Sequence, residues 1–79
     1  MNIKERIQTV FDHVFYSGKR QLEITATMSA EDIEAWSSLK HFKLIAGIEK
    51  EFDIQFTNAE LRQINTMGDF VTVVDSKIS

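Results

Sequence analysis

The chain contains no cysteine and no proline, and only three glycines and two histidines among its 79 residues. Without cysteine there is neither a disulfide nor a thiolate zinc site to reinforce so small a core, and the absence fits a cytoplasmic protein. Without proline and with so few glycines, the backbone has few breaks. That favours a handful of helices over many short strands. No apolar run approaches the ~20 residues of a membrane span, and the N-terminus has no signal-peptide core. The expectation is a soluble, intracellular protein without membrane insertion. A net charge of −3 lacks the basic face of a phosphate-tracking nucleic-acid binder. Neither a phosphate-cradling glycine loop, a metal-ligand cluster nor a paired-carboxylate cleft is present, so no catalytic residue and no metal ligand is assigned.

What remains is helical periodicity. One domain over 1–79 would have a radius of gyration of roughly 12 Å and only ~3–5 kcal/mol of net stability. Residues 2–16 place Ile3, Ile7, Val10, Phe11 and Val14 on one stripe. Asn2 and Glu5 stand at capping positions, and Lys4, Glu5, Arg6, Gln8 and Asp12 fall on the polar side. His13 sits at the stripe's boundary and reads as a surface or packing residue, and Gly18 supplies the C-cap. Residues 17–37 are then a long connection with scattered apolar plugs, among them Trp36 as a loop anchor. Ser29 and Asp32 are spaced to cap one helical turn within it.

Residues 38–52 are the strongest helix, with Leu39, Phe42, Ile45, Ile48 and Phe52 repeating every three or four positions and Leu44 beside them. Either Ser37 or Ser38 can cap it. Gly47 in its middle costs about 1 kcal/mol relative to alanine and implies close packing against a neighbour. Lys40 and Lys43 near its start, and Glu49 and Glu51 near its end, oppose the helix dipole. Stability alone does not ask for that pattern, whereas a partner or a bound anion would. Thr57-Asn58-Ala59-Glu60 is a capping box that opens a short third helix running to Ile64, with Leu61 inward. Thr66 and Asp69 repeat the device before a last helix over about 67–78 that buries Phe70, Val73, Val74 and Ile78. The fold class is an all-α four-helix bundle with a long first loop and a short third helix. Its most telling feature is a serine, Ser38, at the mouth of the second helix, where a phosphate is electrostatically welcome.

Trp36-Ser37-Ser38-Leu39-Lys40-His41, then Leu44-Ile45, then Ile48 through Ile54, resembles the acyl carrier proteins. So does the segment Ile64 through Phe70, which is similar to the start of that family's fourth helix, and the likeness spans essentially the whole chain. The resemblance implies that Ser38 carries a 4′-phosphopantetheine arm, placed there from coenzyme A by a phosphopantetheinyl transferase. Such a chain is not an enzyme. It is a monomeric carrier that holds acyl groups as thioesters and presents them to acyl-loading and acyl-transferring enzymes. Ser37 is the lesser alternative for attachment. His41, one turn on, either contacts the phosphate or is a solvated surface histidine. Three departures from the family pattern are visible: Ser37 replaces the usual aspartate, Lys40 and Lys43 stand where acids are typical, and the third helix pairs Glu60 with Arg62. With Leu39, Lys40, Lys43 and Glu49 taken as docking residues, they point to a specialised lipid, polyketide or cell-envelope pathway. An aminoacyl (D-alanyl or peptidyl) carrier and an unmodified helical interaction module are the alternatives.

Overall fold

Asn2 begins the first helix by accepting the Glu5 N–H on its side-chain oxygen at 3.1 Å, in a computed structural model that describes residues 2–33 and 36–78. Ala35, at the head of the serine motif, lies outside the described residues, as do both ends of the expected 1–79 domain. Helix α1 (Ile3–Tyr16) buries Ile7, Val10, Phe11 and Phe15. Phe15 takes the inward place expected of Val14, which is half-buried. The helix ends at Ser17, whose φ of 55° makes it the left-handed cap, and Gly18 follows with φ 90°. The reversal therefore uses two left-handed residues rather than the glycine alone.

Two polar residues of α1 are not where amphipathicity puts them. Gln8 and Asp12, expected on the solvent face, are 1% and 5% exposed. The cause is the long connection, which crosses that face and needs its backbone groups satisfied. Gln8 Nε2 donates to Asp12 Oδ1 at 2.8 Å and to the Leu22 carbonyl at 2.9 Å, while Gln8 Oε1 accepts the Ile24 N–H at 2.8 Å. Arg20 closes over Asp12 and also reaches Glu5. Ile24, directly beyond this clamp, is almost fully buried.

Further along, a 3₁₀ turn over Ala30–Asp32 is capped as expected, Asp32 Oδ2 accepting the Ser29 N–H at 2.9 Å. Helix α2 (Ser38–Phe52) has the predicted bounds. It packs closely against α1 at Gly47: a Cβ there would lie 2.6 Å from Val10 Cγ1, so a larger residue would force Val10 to shift. Arg6 fastens the far end, pairing with Glu51 at 2.7 Å and lying 4.3 Å over the Phe52 ring. Leu44, Ile45, Ile48 and Phe52 point into the core.

Helix α3 (Asn58–Gln63) opens with the full reciprocal box between Thr57 and Glu60, and Ile64 is its buried cap. Helix α4 (Met67–Ile78) starts with Thr66 and Asp69 exchanging bonds, Asp69 Oδ2 also taking the Asn65 N–H at 2.8 Å. The N–H groups of Met67 and Gly68, which have no partner within α4, donate to Met28 and Ala26 carbonyls at 2.8 and 3.0 Å. The connection is thus stitched to α1 at one end and to α4 at the other. Met67, Phe70 and Val74 are buried and Val73 is half-buried. Ile78 is 38% exposed and outside the core, because α4's last fully buried residue is Val74, one turn earlier. The chain's radius of gyration is 11.5 Å. Among the described residues no helix is long and apolar enough to cross a membrane.

Candidate functional site

Ser37 and Ser38 are chemically alike, but the backbone gives them different work. Ser37 is extended, with φ −126° and ψ 169°, and its side-chain oxygen accepts the Lys40 N–H at 3.3 Å. It is the N-cap. Ser38 is the first residue of α2 and is exposed. The two serines, Trp36, His41 and Phe42 line a shallow cleft of about 400 Å³ at the helix mouth. First-turn N–H groups of a helix have no intrahelical acceptor, so this mouth favours an anion attached to the Ser38 hydroxyl.

An aromatic relay runs from the core to this cleft. Phe15 lies 4.9 Å from Trp36, Trp36 5.7 Å from His41, and His41 6.4 Å from Phe42, centroid to centroid. His41 is therefore a half-buried ring held against Trp36, one turn from Ser38, and not a solvated surface histidine. Trp36 is indeed a loop anchor, and it is also a wall of the site. A second cavity, of about 420 Å³, is lined by Met28, Ile64, Met67 and Phe70 among others. Trp36 and His41 line both spaces. Neither the relay nor the shared wall is legible as periodicity, since Phe15 is distant in sequence from the motif.

The residues expected to dock partners, Leu39, Lys40, Lys43 and Glu49, divide sharply. Leu39 and Phe42, read as members of the apolar core stripe, are 64% and 68% exposed. Leaving a phenylalanine in water forgoes roughly 1.5–3 kcal/mol of burial. At about 100° per residue, Leu39 and Phe42 point away from the face that Leu44, Ile45, Ile48 and Phe52 bury, so the core stripe of α2 begins only at Leu44. Lys40 turns away from Ser38: its ammonium donates to the Val14 carbonyl at 3.4 Å and sits 5.5 Å over the Phe15 ring, steadying the end of α1. Glu49 turns inward as well, Oε2 accepting the Phe56 N–H at 2.8 Å. Lys43 is exposed. The carboxyls held below their ordinary range belong elsewhere: Glu60, mainly through its bond to Lys77, and Asp69, mainly through the Asn65 N–H, with Thr66 next.

No family model matches the chain. Individual proteins do. The acyl carrier protein of Streptococcus pyogenes serotype M1 is 36% identical over 77 residues, covering 98% of this chain and 97% of that protein. That of Streptococcus thermophilus is 35% identical over 77 residues with the same coverage. The solution structure of the holo acyl carrier protein from Geobacter metallireducens superposes with a TM-score of 0.88 at 33% identity, over 99% of this chain and 87% of that one.

Proposed function

This chain belongs to the acyl carrier protein family, and we propose that Ser38 is the residue bearing its 4′-phosphopantetheine arm. Acyl carrier proteins are carriers rather than enzymes, and the arm is their prosthetic group. When bound, it supplies the thiol on which acyl groups ride as thioesters.

The observation that carries the assignment is the division of labour between the two serines. Ser37's oxygen is engaged as the N-cap, whereas Ser38 stands exposed in the cleft. A phosphodiester at Ser38 would be held by the first-turn N–H groups of α2. His41, fixed by Trp36, is the side chain we assign to its flank. Lys40 is not a phosphate ligand in this reading, because its ammonium is spent on α1.

The carrier works as one domain and a monomer in the cytoplasm, served by a phosphopantetheinyl transferase that accepts Ser37 in place of an acid. Its exposed lysine and apolar residues on α2 favour a partner set different from that of fatty-acid synthesis, in a specialised lipid, polyketide or cell-envelope pathway. The test is to incubate the apo-protein with coenzyme A and a broad-specificity transferase, then weigh it intact. One phosphopantetheine adduct is expected in the wild type and none in Ser38→Ala. A wild type left unmodified by several transferases overturns the assignment and leaves an unmodified interaction module.

A further inference from the structure

The outward stripe of α2 is Leu39, Phe42, Lys43, Ala46 and Lys50, spaced three, four and seven positions from its start and then one turn more, and every member is exposed. Two of the three large apolar side chains most exposed among the described residues lie here, in the turn after Ser38. The helix has two acids, and neither serves this stripe. Glu49 holds the Phe56 N–H, and Glu51 is paired with Arg6. Among the described residues Lys43 and Lys50 form no ion pair. An acidic chain of net charge −3 thus presents a basic, apolar-tipped ridge beside its attachment serine.

We infer that this ridge docks a partner enzyme whose serine-entry surface is an apolar socket flanked by carboxylates. The inference rests on the carrier reading, since the ridge matters because Ser38 lies at its end. Charge complementarity selects the occupant: Lys43 and Lys50 stand two turns apart, about 10 Å along the axis, and ask for acids at that spacing. Phe42 and Leu39 supply the apolar anchor that typically dominates a small interface. A basic surface would meet like charge and be rejected. The ridge is only about 16 Å long from Leu39 to Lys50, which suits a transient contact that must release its carrier.

The probe is a phosphopantetheinyl transferase with a basic rim around its serine-entry site, together with the same enzyme after its rim lysines and arginines are changed to glutamate. Binding of the apo-protein is titrated calorimetrically at low and high salt, and the mass gain at Ser38 is followed in parallel. The expected result is at least fivefold tighter binding to the glutamate-rimmed enzyme, weakened by salt. Lys43→Glu with Lys50→Glu reverses the preference, and Phe42→Ala weakens binding to both by a similar factor. Tighter binding of the wild type to the basic rim, or no reversal by the double variant, overturns the inference. Absence of mass gain with either enzyme strikes the carrier reading instead, while the titrations still decide the ridge. Flotation of the wild type with vesicles of phosphatidylserine and phosphatidylcholine, lost in the double variant, would assign the ridge to a lipid surface and overturn the protein partner.

Discussion

Gln8 Oε1 accepts the backbone N–H of Ile24 at 2.8 Å, joining the first helix to the middle of a connection that has no regular structure there. The same side chain donates to the Leu22 carbonyl, so one buried amide satisfies two loop backbone groups at once. Gln8→Leu keeps the volume and removes all three bonds. Each buried polar group left without a partner costs about 1–3 kcal/mol. The expected loss is about 2–4 kcal/mol, large against the stability of so small a domain, and of the order of 10–20 °C in Tm. Thermal melting measures it, and amide exchange at Ile24 should accelerate. A Tm within 3 °C of wild type would mean that water replaces the clamp.

That clamp marks where sequence reasoning stops. The bounds of α2 and α4 and the N-terminal capping of α1, α3 and α4 were legible because such caps are local: Thr57 and Glu60, or Thr66 and Asp69, find each other three residues apart. The close approach at Gly47 was legible for a related reason, since a mid-helix glycine has a cost that only packing explains. Gln8, Lys40 and Glu49 were misplaced or half-read because their partners are backbone groups of other segments, and Asp12 because it is held by Gln8 and by Arg20 of the connection. Amphipathic patterning sees a polar residue and assigns it to water. It also sees Leu39 and Phe42 in register with Ile45 and Ile48 and assigns them to the core. Each three-residue step falls about 60° short of a full turn, so between Leu39 and Ile48 the stripe winds from the outer face of α2 to its inner one, leaving Leu39 and Phe42 in water. Ser38 is proposed from its place at a helix mouth. Its separation from Ser37 needed the Lys40 N–H.

Asp69 gives the fold a pH dependence with a definite sign. N–H groups of Asn65 and Thr66 hold its carboxyl below the ordinary aspartate value of about 4. The folded state therefore favours the charged form. This stabilisation is complete above the unfolded value, and is lost as pH falls from there through the lower, folded one. Urea unfolding at neutral pH and at successive values below 4 should show wild-type stability falling. In Asp69→Asn the neutral-pH stability is lower, and the gap to wild type narrows as the acid range is entered. A gap that stays constant down to pH 2.5 would remove Asp69 from the account of acid sensitivity.

Glu49 separates a docking role from a structural one. Its carboxylate accepts the Phe56 N–H across the turn from α2 to α3, and Phe56 in turn packs against Phe70 at 6.0 Å between ring centroids. A charge-assisted bond to a half-buried backbone group contributes about 1.5–3 kcal/mol. Glu49→Ala should therefore lower stability by about 1–2 kcal/mol, with water recovering part of the loss. Glu49→Gln keeps an acceptor oxygen and should lose less than half as much. Transferase loading of Ser38, measured below the melting range, should be unchanged by Glu49→Gln, because removing the charge leaves the outward ridge as it was. If Glu49→Gln instead slows loading severalfold at unchanged stability, the acid faces the partner after all. The ridge of Leu39, Phe42, Lys43 and Lys50 would then have to include a carboxylate, and its purely basic character would be wrong.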